Sequence, residues 1–241
     1  MESLDQIIEK TKHLSFDLNF SYAKKWKETG KSRILVGYLP IYFPREIVHA
    51  ANGLPVGIFG VGDRKQIIKG DAYYQSYICH LPRGIIEMAL DQNLNDVDGF
   101  IFPAICDCVR NLSGMFKLSK KGKFQRYFDY PQNFDPSIGG IFYIQEMEKV
   151  MEDMYNINRV KVTTEALNIA IGLYNTNRRL IEEIYNIRQE YPWRLSAVEA
   201  YYIIRAGTVI PVEEHNEILK QVAERIQKER GEPMDNIRVV V

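Results

Sequence analysis

RILVGYLPIYFPREIVHAANGLPVGIF, residues 33–59, reads as strand, helix, strand. Arg33–Leu39 is an apolar run of strand length, closed by Pro40. Pro44 then opens a helix through Ala51, because its fixed φ and missing N–H suit a first helical turn. Asn52-Gly53 is the C-terminal stop. Leu54–Phe59 is a second apolar run. Two buried strands joined by a helical crossover make a βαβ unit, and that unit implies a parallel sheet.

The chain on either side extends the pattern. Upstream, apolar positions Leu4, Ile7 and Ile8 have helical spacing over residues 2–14, and a second helix covers Asn19–Glu28. Downstream, a loop from Gly60 leads to Asp71–Tyr77 and a helix from Pro82 to about Asp91. Gly99–Pro103 is a third strand, Asp107–Leu118 a helix, Lys120–Lys123 a basic turn, and Phe124–Phe128 a fourth strand. Tyr130–Pro136 reads as a loop. From Ile141 the texture is helical: 141–155, 163–189, 196–205 and 211–230. Ile237–Val241 is β-branched and reads as a strand in which the chain stops. The expected organisation is an α/β domain over 1–140 with a flavodoxin- or Rossmann-like parallel sheet, a helical segment over 141–235, and at 236–241 the first strand of a second α/β domain. On that reading the chain is the N-terminal part of something longer. The alternative is a short edge strand pairing back onto the sheet.

Composition narrows the function. The 241 residues carry 31 basic and 31 acidic side chains, so no charge excess argues for nucleic acid or a membrane surface. No apolar run reaches the length of a membrane span, and residues 1–16 carry no signal-peptide core. Three cysteines are an odd number, which does not make a secreted disulfide framework and points to a reducing cytoplasm. Neither GxGxxG nor GxxxxGK[ST] occurs, so nucleotide chemistry would belong to a partner.

The cysteines are the chemical signal. Cys79 lies in DAYYQSYICHLPRGIIEMAL (71–90), and Cys106 and Cys108 lie in DGFIFPAICDCVRNLSGMFK (98–117). Cys79 and Cys106 each abut a helix start, where anions are favoured. Thiolates ligate iron–sulfur clusters, although the usual CxxCxxC spacing is absent. Small core residues are the plain alternative. Arg45, Arg83 and Arg110 fall near helix starts or sheet ends, where a phosphate or thioester could reach them, and internal ion pairs are the alternative.

These two segments, PREIVHAANGLPVGIFG (44–60), RYFDYPQN (126–133) and RAGTVIPVEEHN (205–216) resemble the 2-hydroxyacyl-CoA dehydratase and benzoyl-CoA reductase family over essentially the whole chain. Within it they are most similar to substrate-binding subunits of the ATP-dependent reductase. The resemblance implies two α/β domains with a helical part and a [4Fe–4S] cluster between them. It implies a paralogous cluster subunit as partner and an ATP-hydrolysing iron–sulfur activator that delivers electrons. The implied activity is anaerobic reduction of the aromatic ring of benzoyl-CoA. In the dehydratase branch it is loss of water from a 2-hydroxyacyl-CoA, and a non-catalytic scaffold subunit is a further alternative. The first two cluster ligands map onto Cys79 and Cys106, the third falls beyond residue 241, and Cys108 is not a ligand position. Tyr73, Tyr74, Tyr77 and Phe102 lie near the cysteines in sequence, with Tyr77 a substrate-contact candidate. His80, beside Cys79, is the candidate proton donor.

Overall fold

The computed structural model describes residues 2–39, 41–119, 122–228 and 234. The chain forms two compact units. One is Asp17–Ala170, and the other joins Met1–Phe16 to Ile171–Val241.

The first unit holds α2 (Ser21–Glu28), β1 (Ile34–Tyr38), α3 (Arg45–Ala50), β2 (Gly53–Gly57), α4 (His80–Leu90), β3 (Gly99–Pro103), α5 (Asp107–Ser119), β4 (Phe124–Phe128) and α6 (Ile141–Asn158). Its sheet has the order β2-β1-β3-β4, and every pairing is parallel. Val36 pairs with Pro55 on one side and Gly99 on the other. Pro55 offers no N–H to the ladder, which suits the edge place that β2 occupies in this sheet.

The alternation of side chains divides the core. Ile34, Val36, Tyr38, Ile101 and Phe128 face Ile47, Val48 and Ala51 around α3 and Val150 and Met154 of α6. Phe100 and Phe102 point the other way and meet Phe116 of α5 at ring-centroid distances of 4.9 and 5.1 Å. All three rings are fully buried, each stabilising the fold by roughly 1.5–3 kcal/mol. The sheet is therefore covered on both faces. The chain runs from β1 out to β2, then returns past β1 to β3. In such doubly wound sheets the crevice beyond the carboxyl ends of the strands, at that reversal, is where ligands bind.

Ile141, where the sequence reading ends its α/β domain, opens α6, which packs on α3 and β4. Pro136–Gly140, read from the sequence as following a plain loop, is a π-helical turn. It forms because the Asp135 carbonyl accepts N–H bonds from Ile138, Gly139 and Gly140 at 2.8–3.2 Å, while its carboxylate caps Ser137 N–H at 2.8 Å.

The second unit holds α1 (Leu4–Phe16), α8 (Ala197–Ala206) and α9 (Val212–Ile226). α7 (Thr164–Glu190) passes through the boundary between the units. α1 packs on α8 and α9, with Ile7 and Thr11 fully buried and Ser15 donating to the Tyr202 carbonyl at 2.9 Å. A capping box of Ser196 and Glu199 starts α8. A polar knot lies inside. Asn177 Nδ2 contacts His215 Nδ1 and donates to Asn216 Oδ1, each at 2.8 Å, and His215 Nε2 meets the Ile203 carbonyl at 3.0 Å. Gly207 makes room for it, since a Cβ there would lie 2.1 Å from His215 Nδ1. The strand expected at Ile237–Val241, like Pro40 and Lys120-Lys121, lies outside the described residues.

Candidate functional site

Two helix starts define the site. Cys79 is the N-cap of α4, with extended backbone and no side-chain cap bond. The helix begins at His80, so Pro82 stands at its third position, where the missing N–H costs nothing. Cys106 directly precedes α5, and its carbonyl accepts the Arg110 N–H at 3.2 Å. The exit from β3 is fixed by Ala104 N–H to the Phe128 carbonyl at 2.9 Å and Ile105 N–H to the Pro103 carbonyl at 2.8 Å. Cys79 and Cys106 are exposed, Cys108 is half-buried, and all three are free thiols.

Tyr74 ties the two starts together. It is buried, and its hydroxyl donates to the Cys108 carbonyl at 3.0 Å. Burial, and then the neighbouring Cys108, Cys106 and Cys79 thiols, push its hydroxyl up to about 12. Partial burial, followed by the Cys106 and Cys79 thiols, pushes the Cys108 thiol up, and Cys106 also hydrogen-bonds it. The three sulfurs therefore share one electrostatic neighbourhood, although 27 residues separate Cys79 from Cys106.

This donor set suits part of a thiolate-bound group. Soft, exposed thiols on two adjacent helix starts match the ligands iron–sulfur chemistry uses. Among the described residues, no group of three His, Cys, Asp or Glu is arranged to hold a metal ion. Two thiols would fit two ligand positions of such a group.

The remaining candidates are dispersed. His80 is exposed at the first position of α4. Tyr77 is 81% exposed. Arg45, at the first position of α3, hydrogen-bonds the buried Tyr38 hydroxyl. Arg83 pairs with Asp71 at 2.7 Å. Arg110 lies over the Tyr127 ring, 5.4 Å from its centroid, and hydrogen-bonds that residue's hydroxyl. Phe102 is fully buried core, whereas Tyr73 is exposed.

Arg110 also lines a cavity of about 560 Å³ at the carboxyl end of β4, together with the loop 129–133 and residues from the π turn and α6. In the sequence this stretch reads as a loop within the RYFDYPQN segment that carries the family resemblance, with no site role attached. The Asp135-Pro136 pair, a cap followed by a first-turn proline, was the available signal. Glu87 carries no signal in the sequence that sets it apart. It is a buried carboxylate on α4 that accepts N–H bonds from Ile68 at 3.0 Å and Gly70 at 2.7 Å.

The chain is 45% identical over 239 residues to a benzoyl-CoA reductase polypeptide of Thauera aromatica, covering 99% of this chain and 62% of that protein. It is 31% identical to the beta subunit of lactoyl-CoA dehydratase of Anaerotignum propionicum, covering 89% and 56%. It is 30% identical to the beta subunit of (R)-2-hydroxyglutaryl-CoA dehydratase of Acidaminococcus fermentans, covering 90% and 57%. The chain thus spans roughly three fifths of the length of these relatives. A family model described as 2-hydroxyglutaryl-CoA dehydratase, D-component, matches residues 40–241, and the chain belongs to that family.

Proposed function

We propose that this chain forms part of an iron–sulfur oxidoreductase subunit that reduces the aromatic ring of benzoyl-CoA to a cyclic dienoyl-CoA in anaerobic aromatic breakdown. The observation that carries the reading is the pairing of exposed Cys79 and Cys106 on adjacent helix starts at the sheet's carboxyl edge. It is joined by 45% identity to a polypeptide of benzoyl-CoA reductase.

Cys79 and Cys106 would hold a [4Fe–4S] cluster, with Cys108 beside them outside the ligand set. Such a cluster, when bound, supplies a low-potential one-electron donor. Tyr74 keeps its proton and braces the first turn of α5. Arg45, Arg83, Arg110 and Tyr77 are the contacts for the acyl-CoA, the guanidinium groups meeting its anionic or carbonyl oxygens. His80, exposed beside Cys79, is the proton donor in this reading. The partners are a paralogous cluster subunit and an ATP-hydrolysing iron–sulfur activator, in the cytoplasm. No described helix is long and apolar enough to cross a membrane.

The matches to dehydratase beta subunits at 30% and 31% identity favour one alternative, a lyase that needs electrons only to start each catalytic series. The two separate by stoichiometry, because ring reduction consumes two electrons per turnover and dehydration none. The test of the cluster is iron content after anaerobic reconstitution of the intact subunit. Wild type and Cys108→Ser should hold about four irons, while Cys79→Ser and Cys106→Ser should lose most of them. Full iron retention by both of the latter variants would sink the proposal.

A further inference from the structure

We propose that the cavity at the carboxyl end of β4 receives the acyl–pantetheine end of an aromatic thioester, with the nucleotide end held outside it. This rests on the acyl-CoA reading above and assigns which part of the molecule goes where.

Size and place come first. About 560 Å³ falls within the range of small-molecule sites. The cavity opens beside the cysteine edge, because Arg110 on its wall lies one helical turn beyond Cys106, whose carbonyl its N–H meets.

The lining then selects the ligand. Tyr130 and Phe142 present rings and Ile138 an aliphatic side chain, a surface that suits a flat apolar group. The Tyr130 ring is held in advance by Tyr42, Phe128 and Tyr143, with centroids 5.4–5.6 Å away. Burial, and then its hydrogen bond with Tyr143, push its hydroxyl well above the usual tyrosine range, so it stays neutral. Gln132 and Asn133 add amide groups, which match the two amides of a pantetheine arm. Asn133 is held by a close approach of its carbonyl to Gly139, where a Cβ would lie 1.5 Å from that oxygen, so only glycine fits. Arg110 provides a cationic donor suited to a thioester carbonyl oxygen. Asp129, in the same lining, decides the orientation. A carboxylate repels phosphate, so the phosphorylated nucleotide is disfavoured inside and the uncharged end enters.

The experiment is calorimetric titration of the intact subunit with benzoyl-pantetheine, benzoyl-CoA and free CoA. Phe142 and Ile138 are partly exposed, so their replacement should leave the fold intact, with a thermal melt checking each variant. Phe142→Ala and Arg110→Gln should each weaken both benzoyl esters about tenfold, and Ile138→Trp, which narrows the cavity with a bulky ring, should weaken them at least as much. Free CoA should be unaffected by any of the three. Wild-type affinity for benzoyl-pantetheine in all three variants overturns the assignment, as does failure of wild type to bind it. Iron content separates the two readings. Cysteine-dependent iron with indifferent cavity variants removes only this inference, and ester binding at the cavity without iron removes only the cluster.

Discussion

At the residue scale, Tyr74 shows how a single hydroxyl can organise a site. Its bond to the Cys108 carbonyl spans 34 residues of sequence and joins the segment before Cys79 to the helix after Cys106. Tyr74→Phe removes one hydrogen bond and leaves a carbonyl unpaired, at a cost of about 1 kcal/mol. Its pH dependence is distinctive. The folded-state hydroxyl titrates near 12 against an ordinary value of 10.0, so between those values the folded form holds the proton more firmly than the unfolded chain does. The stabilisation is therefore complete below pH 10 and is lost as pH rises towards 12. Denaturant melts across that range should show the loss in wild type and a shallower decline in Tyr74→Phe, and identical alkaline limbs would exclude the role. Sequence alone placed Cys79 and Cys106 correctly at helix starts, because Pro, Gly and apolar runs punctuate both places. The partner of Tyr74 was not legible, since a side chain bonded to a distant backbone carbonyl leaves no periodic trace.

At the scale of the element, α4 has a polar edge that its sequence disguises. Arg83, Glu87 and Asp91 recur every four residues, so they share one stripe of the helix. Each holds a different part of the preceding loop. Arg83 takes Asp71, Glu87 takes the Ile68 and Gly70 amides, and Asp91 takes both Lys65 and Lys69. The stripe therefore fixes the route by which the chain reaches Tyr74 and Cys79. A glutamate in GIIEMAL reads as a solvent-facing position, and only the loop's backbone, 17 and 19 residues upstream, shows otherwise. Glu87→Ala leaves two amides without their charged acceptor and should cost about 2–4 kcal/mol, whereas Glu87→Gln keeps an acceptor and should cost about 1 kcal/mol. Hydrogen exchange reports this locally. The Ile68 and Gly70 amides should lose protection first, and if they exchange as in wild type the stripe does not restrain the loop. Elements themselves were well marked in the sequence. The third and fourth strands were placed at 99–103 and 124–128, where β3 and β4 lie, because short apolar runs between turn residues have few other readings. Strand order was not marked, since the return of the chain past β1 is a matter of packing.

For the whole molecule, the division into units does not follow the chain. Asp17–Ala170 is continuous, but the other unit draws its first helix from the N-terminus and the rest from beyond residue 170. Periodicity identified α1 as amphipathic and could not say what covers its apolar face. In the folded chain α8 and α9 cover it: Leu4 and Ile7 are buried, Phe16 meets Tyr202 edge-on at 5.5 Å, and Arg205 lies over Phe16 at 5.1 Å. α1 is thus a closing element whose contacts lie far along the sequence, Ser15 and Tyr202 being 187 residues apart, and loop-closure entropy has to be met before they form. Deleting residues 2–16 would expose the apolar faces of α8 and α9, with several fully buried side chains left uncovered. At roughly 1.5–3 kcal/mol for each large apolar side chain, that exceeds what a unit of this size can spare. The expected outcome in hydrogen exchange is loss of protection across α8 and α9, while β1, β2, β3 and β4 keep theirs because their core lies wholly within Asp17–Ala170. Simultaneous loss in the sheet would mean that the two units fold as one cooperative body, and unchanged protection in α8 and α9 would mean that α1 merely decorates a unit already complete without it.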